Sequence, residues 1–129
     1  MTESKAAIAG KRCLVLDDEF LIALDIQNIL ETAGAAKVVC VSNAADALAA
    51  LRAGPKFDLA VLDVKLSDAT RNSSTVAAAL KAQATPFVFL TGVQGNDMHT
   101  REFPDAPVVG KPYQTPSLLN ALLRALEGR

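Results

Sequence analysis

Short apolar runs alternate with amphipathic stretches from one end of the chain to the other. The runs RCLVL (12–16), KVVCV (37–41), DLAVLD (58–63), FVFL (87–90) and the pair Val108-Val109 are rich in Val, Leu and Phe. They are too short for helices and read as strands buried in a sheet. Between the first two, EFLIALDIQNILETA (19–33) puts Ile22, Ile26, Ile29, Leu30 and Ala33 on one helical face, with Gly34 in the place of a C-terminal glycine. A second helix is predicted to open on Ser42 as cap, to turn Ala44, Leu48 and Leu51 inward and to stop at Gly54-Pro55. An Ala-rich helix follows over 75–83. The last helix is expected to use Thr115 as cap and Pro116 as its first residue, with Leu119, Leu122, Leu123 and Leu126 as its stripe. Segment 92–107 holds two Gly and two Pro, which leaves room for one short or irregular helix. Strands alternating with helices predict one α/β domain, a parallel sheet with helices on both faces.

Composition narrows the chemistry. The 129 residues include five Phe, one Tyr and no Trp, so the core is expected to be aliphatic. Thirteen basic and fourteen acidic residues leave a net charge of -1, which offers no attraction to nucleic acid or membrane. No segment is long and apolar enough for a bilayer, and MTESKAAIAGKR lacks the apolar stretch of a secretory signal, so a cytoplasmic protein is expected. Cys13 and Cys40 fall in neighbouring predicted strands and read as buried small hydrophobes. His99, the single histidine, lies in the loop-rich segment and reads as a surface residue.

Polar residues stand at the carboxyl ends of the apolar runs: Asp17-Asp18 after CLVL, Asp63 after LAVL, Thr91 after FVFL and Lys111 after PVVG. In an open parallel sheet those positions project from the edge that binds ligands. Each has an ordinary explanation: helix capping for Asp17 and Asp18, a turn for Asp63, β-branched strand propensity for Thr91, solvation for Lys111. Together they assemble three carboxylates, a hydroxyl and an ammonium, an inventory for a divalent cation and a phosphoryl group with a carboxylate free to attack. Two adjacent acids exceed the needs of one cap, and Mg²⁺ suits their hard oxygen donors. Gly92 lets backbone approach a ligand, and Pro112 after Lys111 is a candidate for a cis bond.

With LVLDDE, LAVLD, FLTG and VGKPY in this order and spacing, the chain resembles the receiver domains of two-component response regulators over roughly residues 11–126. FLTGVQ is similar to the Phe-Ala-Thr-Gly-hydrophobic-Tyr motif of one subgroup. The resemblance implies a flavodoxin-like (βα)5 fold of strand order 2-1-3-4-5, with 1–10 as an N-terminal extension and 11–129 as the receiver domain. It implies that Asp63 is the phosphoacceptor, that Asp17, Asp18, Asp63 and the Lys65 backbone carbonyl bind Mg²⁺, and that Thr91 and Lys111 hold phosphoryl oxygens. The implied partner is a sensor histidine kinase or phosphotransfer protein. Output then runs through a downstream protein, or the chain acts as a phosphate sink. The expected role is that of a stand-alone signalling module, an enzyme only in its own phosphorylation and dephosphorylation. Lys65 and Val93, two residues beyond Asp63 and Thr91, would flank the phosphoryl group, so Lys65→Ala is expected to change its lifetime.

Departures from the family pattern are specific. Val108 stands where many receivers carry an aromatic residue, and Gln94 replaces the Tyr of the subgroup motif. The usual Thr-aromatic relay therefore lacks its aromatic partner. That keeps open a pseudo-receiver, a protein-binding module that switches without phosphate. Flavin electron transfer is the third reading, weakened by the acidic first loop and the scarcity of aromatic rings.

Overall fold

The computed structural model describes residues 7–64, 73–92 and 102–128. Strands β1 (Arg12–Leu16), β2 (Lys37–Val41), β3 (Leu59–Asp63), β4 (Phe87–Thr91) and β5 (Val108–Gly110) form one sheet. Its order is β2-β1-β3-β4-β5, and every pair is parallel. Helices α1 (Phe20–Thr32), α2 (Ala44–Ala53), α3 (Ser73–Ala82) and α4 (Thr115–Glu127) cover it.

Strand periodicity sorts the core into two layers, because successive side chains leave opposite faces of a strand. Cys13, Val15, Leu59, Val61, Val88, Leu90 and Val109 face α1 and α4. Leu14, Leu16, Ala60, Leu62, Phe87 and Phe89 face α2 and α3. The first layer is aliphatic, as composition suggests. The second also holds an aromatic group, with Phe87 edge-on to Phe89 at 5.4 Å and to Phe103 at 5.7 Å between ring centroids.

The sheet edges differ from their apolar appearance in sequence. β3 and β4 are buried throughout, but β2 is only half-buried and β5 alternates exposed, buried, exposed. Cys40 is therefore exposed rather than buried, with its thiol near the Gln27 side chain and the Ala23 carbonyl. Cys13, on the inner strand, is buried, and both thiols are free. Val108 is likewise exposed, while Val109 is buried.

Two predicted caps move by one residue. Asn43, not Ser42, caps α2, its side-chain oxygen accepting from the Asp46 N–H at 2.7 Å. Gln114 takes the cap position of α4, so Thr115 and Pro116 lie inside its first turn. The buried face of α4 is Leu118, Leu119, Ala121, Leu122 and Ala125, which leaves Leu123 and Leu126 half-buried. α3 spans Ser73–Ala82 rather than 75–83, and Ser73 Oγ donates to the Val64 carbonyl at 3.2 Å.

Gly34 ends α1 as expected, at φ +99°, where a Cβ would also lie 3.3 Å from Ala9. Ala84 holds a comparable left-handed turn after α3 at φ 59° without being glycine. Lys65, Val93, Gln94 and His99 lie outside the described residues, as does most of the segment expected to hold an irregular helix.

Candidate functional site at the carboxyl edge of the sheet

Strand register delivers the candidate residues to one corner. Leu16 is level with Val41 and Leu62, Asp63 with Leu90, and Thr91 with Gly110. Asp17 and Lys111 are therefore the next residues out from β1 and β5. Their backbone amides extend the ladders, Asp17 N–H donating to Val41 O at 3.1 Å and Lys111 N–H to Thr91 O at 2.7 Å.

Asp17, Asp18 and Asp63 each offer an oxygen within 4.8 Å of the others. Asp17 and Asp63 are buried, Asp18 half-buried, and Thr91 is buried at the end of β4. Asp17 serves two purposes at once. Its Oδ1 accepts from the Glu19 N–H at 2.9 Å, which organises the entry to α1. Its Oδ2 is buried, makes no hydrogen bond and faces the Lys111 ammonium at 3.1 Å. The local turn and the site contact are thus carried by different oxygens of one side chain, while the cap position of α1 itself falls to Glu19, whose side chain makes no cap bond.

Lys111 Nζ also lies 3.1 Å from Glu19 Oε1 and 3.5 Å from Asp63 Oδ2. Burial alone would pull the ammonium's pKa down. Close contact with the Asp17 carboxylate, the Asp63 and Asp17 charges and the hydrogen bond it donates to Glu19 outweigh that and push the value up. A lysine held charged between carboxylates balances part of their mutual repulsion. Its peptide bond to Pro112 is cis.

The donor set fits a hard divalent cation. Oxygens of Asp17, Asp18 and Asp63 converge closely enough to share one ion, and carboxylates are the hard donors such an ion takes. The Lys65 carbonyl, expected as a further ligand, lies outside the described residues.

Two contacts were not legible in the sequence. Glu19 belonged to the acidic cluster, but its reach to Lys111 spans 92 residues of chain. Tyr113 Oη donates to Asp25 Oδ2 at 2.6 Å, tying the segment after Lys111 to α1. Glu19 follows an acid pair and Tyr113 follows Lys-Pro, which are the only hints that either carries.

Comparison with known proteins places the geometry in context. Residues 13–123 match the response regulator receiver domain. The phyllosphere-induced regulator PhyR of Methylorubrum extorquens is 25% identical over 122 residues, covering 94% of this chain and 45% of that protein. The chain thus spans about half the length of the curated relative it matches. The solution structure of the BeF3-activated conformation of SdrG from Pseudomonas melonis Fr1 is 37% identical, with a TM-score of 0.73, covering 92% of this chain and 98% of that one. A receiver protein from Sinorhizobium medicae WSM419 superposes with a TM-score of 0.80 at 25% identity, covering 92% and 95% of the two chains.

Proposed function

Because the chain belongs to the response regulator receiver domain family of two-component signalling, we propose that Asp63 accepts a phosphoryl group from a phosphohistidine in a Mg²⁺-dependent reaction. The observation that carries this reading is the meeting of Asp63 with Asp17, Asp18 and Lys111 at one corner of the sheet. Receiver domains as a family act with histidine kinases or phosphotransfer proteins, and such a protein is the proposed donor. We take residues 11–129 as the receiver domain and 1–10 as an extension whose Ile8 packs into the core.

Asp17, Asp18 and Asp63 are the side chains that would hold Mg²⁺. When bound, the cation supplies positive charge beside the phosphoryl oxygens. An Asp63 carboxylate oxygen attacks phosphorus as the bond to the imidazole nitrogen breaks, and the nitrogen leaves with that electron pair. The product is an acyl phosphate on Asp63, which water can cleave. The Lys111 ammonium, already 3.5 Å from Asp63 Oδ2, offsets the negative charge brought by the phosphoryl group. The Thr91 hydroxyl, at the neighbouring strand end, donates to a phosphoryl oxygen. Through that contact Thr91 reports the modification to an exposed surface.

The BeF3-activated conformation of SdrG supports this reading, since beryllofluoride stands in for a phosphoryl group on a carboxylate. FLTG at the end of β4 likewise supports placing the chain near the Phe-x-Thr-Gly subgroup.

Output by protein contact, or phosphate removal from a shared kinase, follows from the same chemistry. The specific observation favouring a phosphate-independent module is the small, exposed Val108 at the aromatic position.

Incubation with Mg²⁺ and a small phosphodonor, read by intact mass, separates the two. Modification of wild type and not of Asp63→Asn is the expected result. Unmodified wild type would favour the phosphate-independent module.

A further inference from the structure

The geometry points to Tyr113 and Asp25 as positioning residues that hold Lys111 at the phosphoryl site through the Tyr113 hydroxyl bond to α1. This rests on the proposed phosphoryl-acceptor reading and adds residues to it.

Lys111 follows an edge strand, so burial on both faces does not fix it as it fixes Asp63. Toward the strand, the Lys111 N–H is bonded to the Thr91 carbonyl at 2.7 Å. Beyond it the chain runs through Pro112 to Tyr113 before α4 begins at Thr115. The Tyr113 side chain packs against the α1–α4 core layer. Its hydroxyl reaches Asp25 Oδ2 at 2.6 Å, the short distance of an O–H donor on a charged carboxylate. The segment carrying Lys111 is therefore pinned at two points, one on β4 and one on α1.

Burial first, then the bond to Asp25 and the nearby Asp25 and Asp17 charges, push the phenol well above its ordinary pKa. Removing the hydroxyl frees the far end of the segment and leaves the position of the ammonium to its ion pairs alone. A displaced ammonium costs rate because it meets the phosphoryl oxygens out of place.

The test compares Tyr113→Phe, Asp25→Asn and Asp25→Leu with wild type, using Mg²⁺ and phosphoramidate, and follows the Lys111 ε-methylene resonances by NMR in unphosphorylated protein. Tyr113→Phe is expected to slow modification of Asp63 by about three- to tenfold and to shift the Lys111 resonances. Asp25→Asn, whose amide oxygen still accepts, should lose less than Asp25→Leu. In a Lys111→Met background, Tyr113→Phe should have no further effect. A Tyr113→Phe protein with unchanged rate and unchanged Lys111 resonances overturns the positioning role and leaves the acceptor reading intact. Wild type that stays as unmodified as Asp63→Asn overturns the acceptor reading, and the Lys111 resonances then still decide the positioning.

Discussion

β3 and β5 each deliver a functional group to the same corner, yet β3 is buried along its length while β5 alternates exposed, buried, exposed. Asp63 leaves a strand clamped between β1 and β4 and packed on both faces. Lys111 leaves a strand with one neighbour. The difference shows that pairing and burial on both sides hold the backbone of a central group, while a group at the edge draws on additional ties. For Lys111 those ties are a backbone bond to Thr91, three carboxylates and the segment anchored by Tyr113.

The sharpest way to break this contrast is to remove the edge charge. Lys111→Met removes the ammonium that both buried Asp17 and buried Asp63 face. Phosphorylation should fall by about a hundredfold or more, since a charge aimed at the reacting group is lost. Stability without Mg²⁺ should drop by about 1–3 kcal/mol, with Mg²⁺ restoring part of it. Phosphodonor kinetics and urea unfolding with and without Mg²⁺ check both, and an unaffected rate would remove Lys111 from the chemistry.

The two cysteines test the centre against the opposite edge. Burial, aided by Asp58, pushes the Cys13 thiol from 9.0 up to about 12. The folded state thus keeps a proton that the unfolded chain releases above about pH 9. Cys13 leaves stability unchanged below about pH 9, then lowers it as pH rises toward 12, by up to ~1.4 kcal/mol per pH unit. Cys13→Ala should flatten that alkaline decline while lowering stability near neutrality. At pH 8 a thiol reagent should label exposed Cys40 of folded protein and spare Cys13. Equal labelling would contradict the burial contrast.

Within β5 itself, Val109→Ala should cost about 1–2 kcal/mol and Val108→Ala under about 0.5 kcal/mol, because only Val109 is buried. Chemical denaturation measures both, and equal losses would mean that the strand is covered on both sides. A gain in place of a loss is expected at Ala84, whose φ of 59° favours glycine. Ala84→Gly should raise stability by up to about 1 kcal/mol, reduced by the greater freedom of glycine in the unfolded chain. A lower thermal midpoint would contradict the strain argument.

The sequence announced the central strands and the site far better than the edges. LAVLD and FVFL are buried on both faces, so their continuous apolar character is a true record of their surroundings. KVVCV and PVVG look similar, but exposure at an edge depends on strand order, which local pattern does not contain. Cys40 and Val108 are therefore exposed although their local pattern reads as buried. Cap errors have a local origin: Ser42 and Asn43 are adjacent and both suit a helix start, and only backbone direction selects Asn43. The acid pair, Asp63, Thr91 and Lys111 were legible because each follows an apolar run, and parallel register brings such ends together. The Tyr113–Asp25 bond spans 88 residues and has no local pattern to announce it.

The central claim is that Asp63 is a phosphoacceptor in a cation-holding pocket. Amide NMR during addition of Mg²⁺ and then beryllofluoride tests it most directly. Mg²⁺ should first move Asp17, Asp18 and Asp63. Beryllofluoride should then move Asp63, Thr91 and Lys111 in wild type, and leave Asp63→Asn unmoved. An absent response in wild type, or the same response in Asp63→Asn, would contradict the claim.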